Sequence, residues 1–97
     1  DRQLEGYIDL LYRSPEGLVV VDYKTAGTSD PDQLDRRVEG YTPQGASYAL
    51  TVSESTGEAV VGMTFVFLTP DGAVERSIGQ LDRAVDSVRS VLAQPAV

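Results

Sequence analysis

Asp9, Asp22 and Lys24 are the residues of this chain whose types and spacing suit chemistry. They stand in the stretch from Gly6 to Lys24, GYIDLLYRSPEGLVVVDYK, where the apolar runs Tyr7 to Arg13 and Leu18 to Tyr23 flank the turn-like segment Ser14-Pro15-Glu16-Gly17. The pattern predicts a β-hairpin. Direct pairing across that loop sets Arg13 opposite Leu18, Leu11 opposite Val20 and therefore Asp9 opposite Asp22. Like charges so opposed, with Cβ atoms about 5 Å apart, weaken a sheet. A divalent cation shared by the two carboxylates would remove the repulsion. Lys24 lies two residues beyond Asp22, on the same face and ~7 Å further along the strand, where its ammonium reaches a group bound at the cation. Such an arrangement suits hydrolysis. The alternative is that all three point to solvent on an open sheet face, with Lys24 as a counter-charge. Their setting among Ile8, Leu10, Leu11, Val19, Val20 and Val21 favours the chemical reading. Everything depends on register, since a bulge in the turn would shift the partner by one residue and reverse its face.

The elements that must position these residues follow from the rest of the pattern. Asp1 to Glu5 leads into the first strand, Glu5 shares parity with Asp9, and Gly6 marks a bulge or a close approach of backbone. Asp30-Pro31 with Gln33 has the form of an N-cap, a first-turn proline and a capping-box partner, so a short helix runs to about Glu39 and stops at Gly40. Arg36 and Arg37 are the only adjacent basic pair; a solvated face explains them more simply than a phosphate contact. A second helix starts at Thr42 with Pro43 in its first turn and ends before Gly57, which puts Gln44 and Tyr48 on one face. Tyr48, Ala49 and Val52 equally suit ordinary packing on a sheet. Ala59 to Leu68 is apolar on both parities, with Val61, Met63, Phe65 and Phe67 on one side and Val60, Val66 and Leu68 on the other, and so predicts a central strand covered on both faces. Pro70-Asp71-Gly72 turns the chain into an edge strand from Ala73 to Ile78. Leu81, Ala84, Val85, Val88 and Leu92 then recur at helical spacing, as core cover or as a docking surface for a parent chain, before the Gln94-Pro95 tail. Hairpin, helix, strand, strand and helix make one small α/β domain, a mixed sheet flanked by helices.

Composition narrows the classes. A chain of 97 residues supports a single modest core. It begins at Asp1 and has no signal-like or transmembrane stretch, so it reads as a cytoplasmic fragment of a longer protein. With no cysteine, no disulfide and no thiolate-held zinc or iron-sulfur site can form within these residues. Fifteen acidic against 8 basic residues, a formal charge of −7, argue against a stand-alone grip on nucleic acid.

Three motifs occur in order: Gly6-Tyr7-Ile8-Asp9, Val21-Asp22-Tyr23-Lys24-Thr25 and Gln44-Gly45-Ala46-Ser47-Tyr48-Ala49. Together they resemble the G-x-x-D, D-Y-K-[ST] and Q-x-x-x-Y motifs of RecB-type nucleases in the PD-(D/E)xK superfamily, over Leu4 to Leu68. The resemblance implies a restriction-endonuclease-like core whose first helix, with a further metal ligand, is missing here. It implies a C-terminal exonuclease domain of a UvrD-like bacterial helicase-nuclease that processes DNA double-strand breaks, with DNA delivered by the parent helicase or by a second subunit. Asp9, Asp22 and the backbone carbonyl of Tyr23 would hold Mg2+ or Mn2+, hard cations that take oxygen ligands. Lys24 would orient the attacking water and stabilise the transition state. Gln44 would hold the active-site arrangement or substrate, with Tyr48 near the DNA backbone. ATP would belong to the parent helicase alone, since no G-x-x-x-x-G-K-[ST] occurs here. The contrasting expectation is a catalytically inactive scaffold that keeps the nuclease fold, favoured by the acidic charge and the absent upstream ligand.

Overall fold

The computed structural model describes residues 9–94. Glu5, Gly6, Tyr7, Ile8 and Pro95, for which expectations were stated, lie outside them. Four strands and two helices follow in chain order: β1 (Leu10–Ser14), β2 (Gly17–Thr25), α1 (Pro31–Thr56), β3 (Val60–Thr69), β4 (Gly72–Ser77) and α2 (Leu81–Leu92). The sheet order is β1-β2-β3-β4. The outer pairs are antiparallel and the central β2–β3 pair is parallel. That parallel pair needs a crossover, and α1 supplies it on one face of the sheet. The α/β class and mixed sheet expected from the sequence are therefore present.

The hairpin register is the one that its turn demands: Arg13 pairs with Leu18 and Leu11 with Val20. Ser14 closes the turn, its hydroxyl accepting from the Glu16 amide at 3.3 Å and donating to the Gly17 carbonyl at 2.9 Å. The start of α1 also matches expectation, with Asp30 as N-cap accepting from the Gln33 amide.

Two expectations are corrected. The helices predicted on either side of Gly40 are a single helix of 26 residues, with Pro43 inside it and Gly57 closing it in the left-handed conformation at φ 72°. A proline inside a helix removes one backbone hydrogen bond, at a cost of about 3 kcal/mol. Here one apolar stripe spans the break: Leu34, Val38 and Tyr41 before Pro43, and Ala49 and Val52 after it, meet the same core. Their burial outweighs the break, and the Thr42 hydroxyl also donates to the Val38 carbonyl at 2.7 Å. Second, β3 is covered on one face among the described residues, not on both. The β2–β3 register shifts by one residue, from Leu18–Val60 to Val19–Gly62, so Val61 is bulged out and half exposed. The bulge reverses the parity of what precedes it. Val60 therefore packs on the core beside Met63, Phe65 and Phe67, which are fully buried under α1. The opposite face carries exposed Leu10, Tyr12, Tyr23 and Leu68. β2 is the strand buried on both parities, from Leu18 to Asp22.

Candidate active site

Asp22 and Lys24 share the parity of Leu18 and Val20, so β2 aims them at the helical face. Asp22 is 4% exposed, and it is the one buried charged residue among those described. Lys24 extends to the rim of the sheet. Its Nζ lies 3.1 Å from Asp22 Oδ2 and donates to Gln44 Oε1 at 2.9 Å. The approach to Oδ2 is close but badly aligned, and that oxygen has no hydrogen-bond donor among the described residues. Asp9, one residue ahead of β1, accepts from the Tyr23 amide through Oδ2 at 2.8 Å. Its carboxyl thereby stands beside that of Asp22. Burial pushes the Asp22 carboxyl above its ordinary value; the Lys24 ammonium pulls it down, and Asp9 adds a further push upward.

α1 brings the remaining groups. Gly45 lies against the sheet so closely that a Cβ there would sit 2.8 Å from Ile78 Cδ1 and 3.0 Å from both Met63 Cγ and Phe65 Cζ. This approach carries neighbouring Gln44 to Lys24. Tyr48 shares the Gln44 face of the helix, as expected, and packs against the core partly buried.

Tyr41 is a site residue that sequence reasoning missed. Its ring lies under the Lys24 ammonium, 4.3 Å from Nζ to centroid, and tilts against Phe65. A signal existed: Tyr41 precedes Gln44 by three residues, one helical turn. Breaking the helix at Gly40 hid it. Beyond Tyr41, Arg37 donates through Nη2 to the Tyr41 hydroxyl and to the Thr25 carbonyl, each at 3.2 Å.

The donor set fits a hard divalent cation. It offers two adjacent carboxylates and a buried, unsatisfied oxygen on Asp22, which a cation would satisfy. Among the described residues no third acidic, histidine or cysteine side chain joins them. An apolar groove of about 460 Å3 between α1 and α2, lined by Thr42, Pro43, Ser47, Ala84, Val88 and Val91, contains none of these groups. No helix of the described residues is long and apolar enough to cross a membrane.

No curated protein and no solved structure matches the chain. The family model of the PD-(D/E)XK nuclease superfamily matches residues 1–96, almost the whole sequence. With a paired-carboxylate and lysine constellation on a small mixed sheet, the chain belongs to the PD-(D/E)XK nuclease superfamily.

Proposed function

We propose that this chain is a divalent-metal-dependent deoxyribonuclease domain, a RecB-type exonuclease module of a bacterial helicase-nuclease that repairs DNA double-strand breaks. The observation that carries the reading is Asp22: a buried carboxylate with an unsatisfied oxygen, beside a lysine that two further side chains hold in place. Asp9 and Asp22, with the Tyr23 carbonyl, would hold Mg2+ or Mn2+. When bound, the cation supplies charge neutralisation at the scissile phosphate and a more acidic water. Lys24 donates to a phosphate oxygen and stabilises the charge that builds there in the transition state. Gln44 Oε1 accepts a hydrogen bond from the ammonium and the Tyr41 face receives the cation, so Lys24 waits in a fixed position. Tyr48 braces the helix turn that carries Gln44. With a net charge of −7, the chain has little long-range attraction for DNA. DNA delivered by a helicase, whose ATP site lies elsewhere, or by a second subunit meets that need.

A second reading, an inactive scaffold of the same fold, draws on the absence of a third acidic ligand among the described residues. One experiment separates the two. Magnesium is titrated into the chain while the amide signals of Asp9, Asp22 and Tyr23 are followed by NMR, in the wild type and in Asp22→Asn, and hydrolysis of a labelled oligonucleotide is measured alongside. The nuclease reading expects saturable shifts at those residues that vanish in Asp22→Asn, and a loss of about 10²- to 10³-fold in rate for Lys24→Ala. Absence of both shift and hydrolysis, repeated in a longer parent that supplies the expected upstream helix and its ligand, leaves the scaffold.

A further inference from the structure

Around the site the cations are not equally neutralised. Lys24 is paired with Asp22, and Arg76 donates to Asp35 at 2.8 Å. Arg37 forms no ion pair among the described residues, although the chain has 15 acidic residues. It is nevertheless held. Nη2 bonds two neutral acceptors, the Thr25 carbonyl at the end of β2 and the Tyr41 hydroxyl. The guanidinium lies 5.8 Å from the Tyr41 ring centre and 5.6 Å from that of Phe67. The donors on Nε and Nη1 have no acceptor among the described residues, so the guanidinium is oriented through Nη2 while most of its five N–H groups stay available, on either side of that nitrogen.

Sequence placement explains why the charge survives. At helical spacing, Arg37 has Gln33, Leu34, Gly40 and Tyr41, and none is acidic. Its neighbour Arg36 also forms no ion pair among the described residues, but it has Asp32 four residues before it and Glu39 three after. The two arginines differ in their acidic neighbours and in that Arg37 alone of the two is held by hydrogen bonds. Arg37 and Lys24 are also linked through one ring, since both cations lie against Tyr41.

We propose that Arg37 binds the backbone phosphate adjacent to the one that Lys24 faces, giving a nucleic-acid strand its second anchor on this surface. The inference rests on the nuclease reading for what Lys24 faces. A phosphodiester supplies the anion that Arg37 lacks, and an N–H of Nη1 or Nε donates a charge-assisted hydrogen bond to one of its oxygens. Tyr41 then sets the distance between the two cations.

The test measures binding of a single-stranded thymidylate octamer across a salt series. Calcium, a hard cation that takes the same oxygen ligands, is present in place of magnesium. NMR of the arginine Nε–Hε signals detects even weak association. Arg37→Gln, which removes the charge and keeps a polar side chain, is expected to bind about tenfold more weakly. It should lower the slope of log affinity against log salt by about 0.7, one phosphate contact on a single strand. Arg37→Lys should keep the slope, which separates lost charge from lost fold, and Arg36→Gln should behave as wild type. Equal affinity and slope in Arg37→Gln, an equal loss in Arg36→Gln, or no binding by the wild type overturns the proposal. Cleavage is read separately in magnesium. A strand that is bound with the Arg37 slope but never cut overturns the nuclease reading and sustains the Arg37 contact. A strand cut equally well, and bound with an unchanged slope, by Arg37→Gln does the reverse.

Discussion

Asp22→Asn should make the metal-free protein more stable. Asp22 is 4% exposed and its carboxyl is pushed above the ordinary value of 3.8, with burial as the largest cause. A raised folded value means that the charged form is worse off in the fold than in the unfolded chain, even with the Lys24 ammonium 3.1 Å away. Below 3.8 the carboxyl is protonated in both states and contributes no penalty. The penalty grows as pH rises from there to the folded value and is fully present above it. Asparagine keeps the shape without the charge. Removing one partner of a buried ion pair is costly where it strands the other charge, but Lys24 retains Gln44 and Tyr41 as partners. Relief of the buried, unsatisfied charge on Asp22 therefore prevails, and a gain of ~1 kcal/mol is expected, the low end of the cost of burying an unsatisfied polar group. For a domain of this size, that raises the melting temperature by about 4–8 °C. Magnesium reverses the order: at a hundred times its dissociation constant, a ligand specific to the folded state adds ~2.7 kcal/mol to the wild type and nothing to the variant. Differential scanning calorimetry at neutral pH, with and without magnesium, reads both effects, and repetition below pH 3.8 should close the metal-free gap. A metal-free wild type that melts above Asp22→Asn at neutral pH would mean that the Asp22 charge stabilises the fold, and equal stabilisation of both by magnesium would mean that Asp22 holds no cation.

Other expectations follow from the same contacts. Tyr41→Phe keeps the ring under Lys24 and should leave the lysine methylene protons shifted upfield in NMR, whereas Tyr41→Leu should lose that shift and weaken the Lys24 clamp by about 0.5–2 kcal/mol. Gly45→Ala drives a methyl into Ile78, Met63 and Phe65; urea denaturation should show a loss of about 1–3 kcal/mol, and the separation of α1 from the sheet should draw Gln44 away from Lys24. Met63→Ala, at a fully buried position in β3, should cost about 2–5 kcal/mol by the same measurement.

Local rules account for much of what was legible beforehand. The hairpin register follows from the length of a short turn, so the pairing that leads to Asp9 beside Asp22 could be counted residue by residue. The cap at Asp30, the apolar spacing of α2 and the turn at Asp71 are likewise properties of a few neighbouring residues. Gln44 could be placed near Lys24 only through motif resemblance, because nothing local links a helix to a strand twenty residues earlier.

Tertiary structure decided what local preference opposed or left open. Gly40 and Pro43 each disfavour a helix by local energetics, yet α1 runs through both, because one apolar stripe buried on the sheet outweighs them. The bulge at Val61 arises from pairing with β2 and set which residues of β3 meet the core. The burial of Asp22, the Tyr41 ring under Lys24 and the anchoring of Arg37 on the Thr25 carbonyl also exist only once α1 crosses the sheet. The types, order and strand parity of Asp9, Asp22 and Lys24 are properties of the sequence alone. Their burial, their partners and hence their energetics belong to contacts between distant segments, which no local pattern encodes.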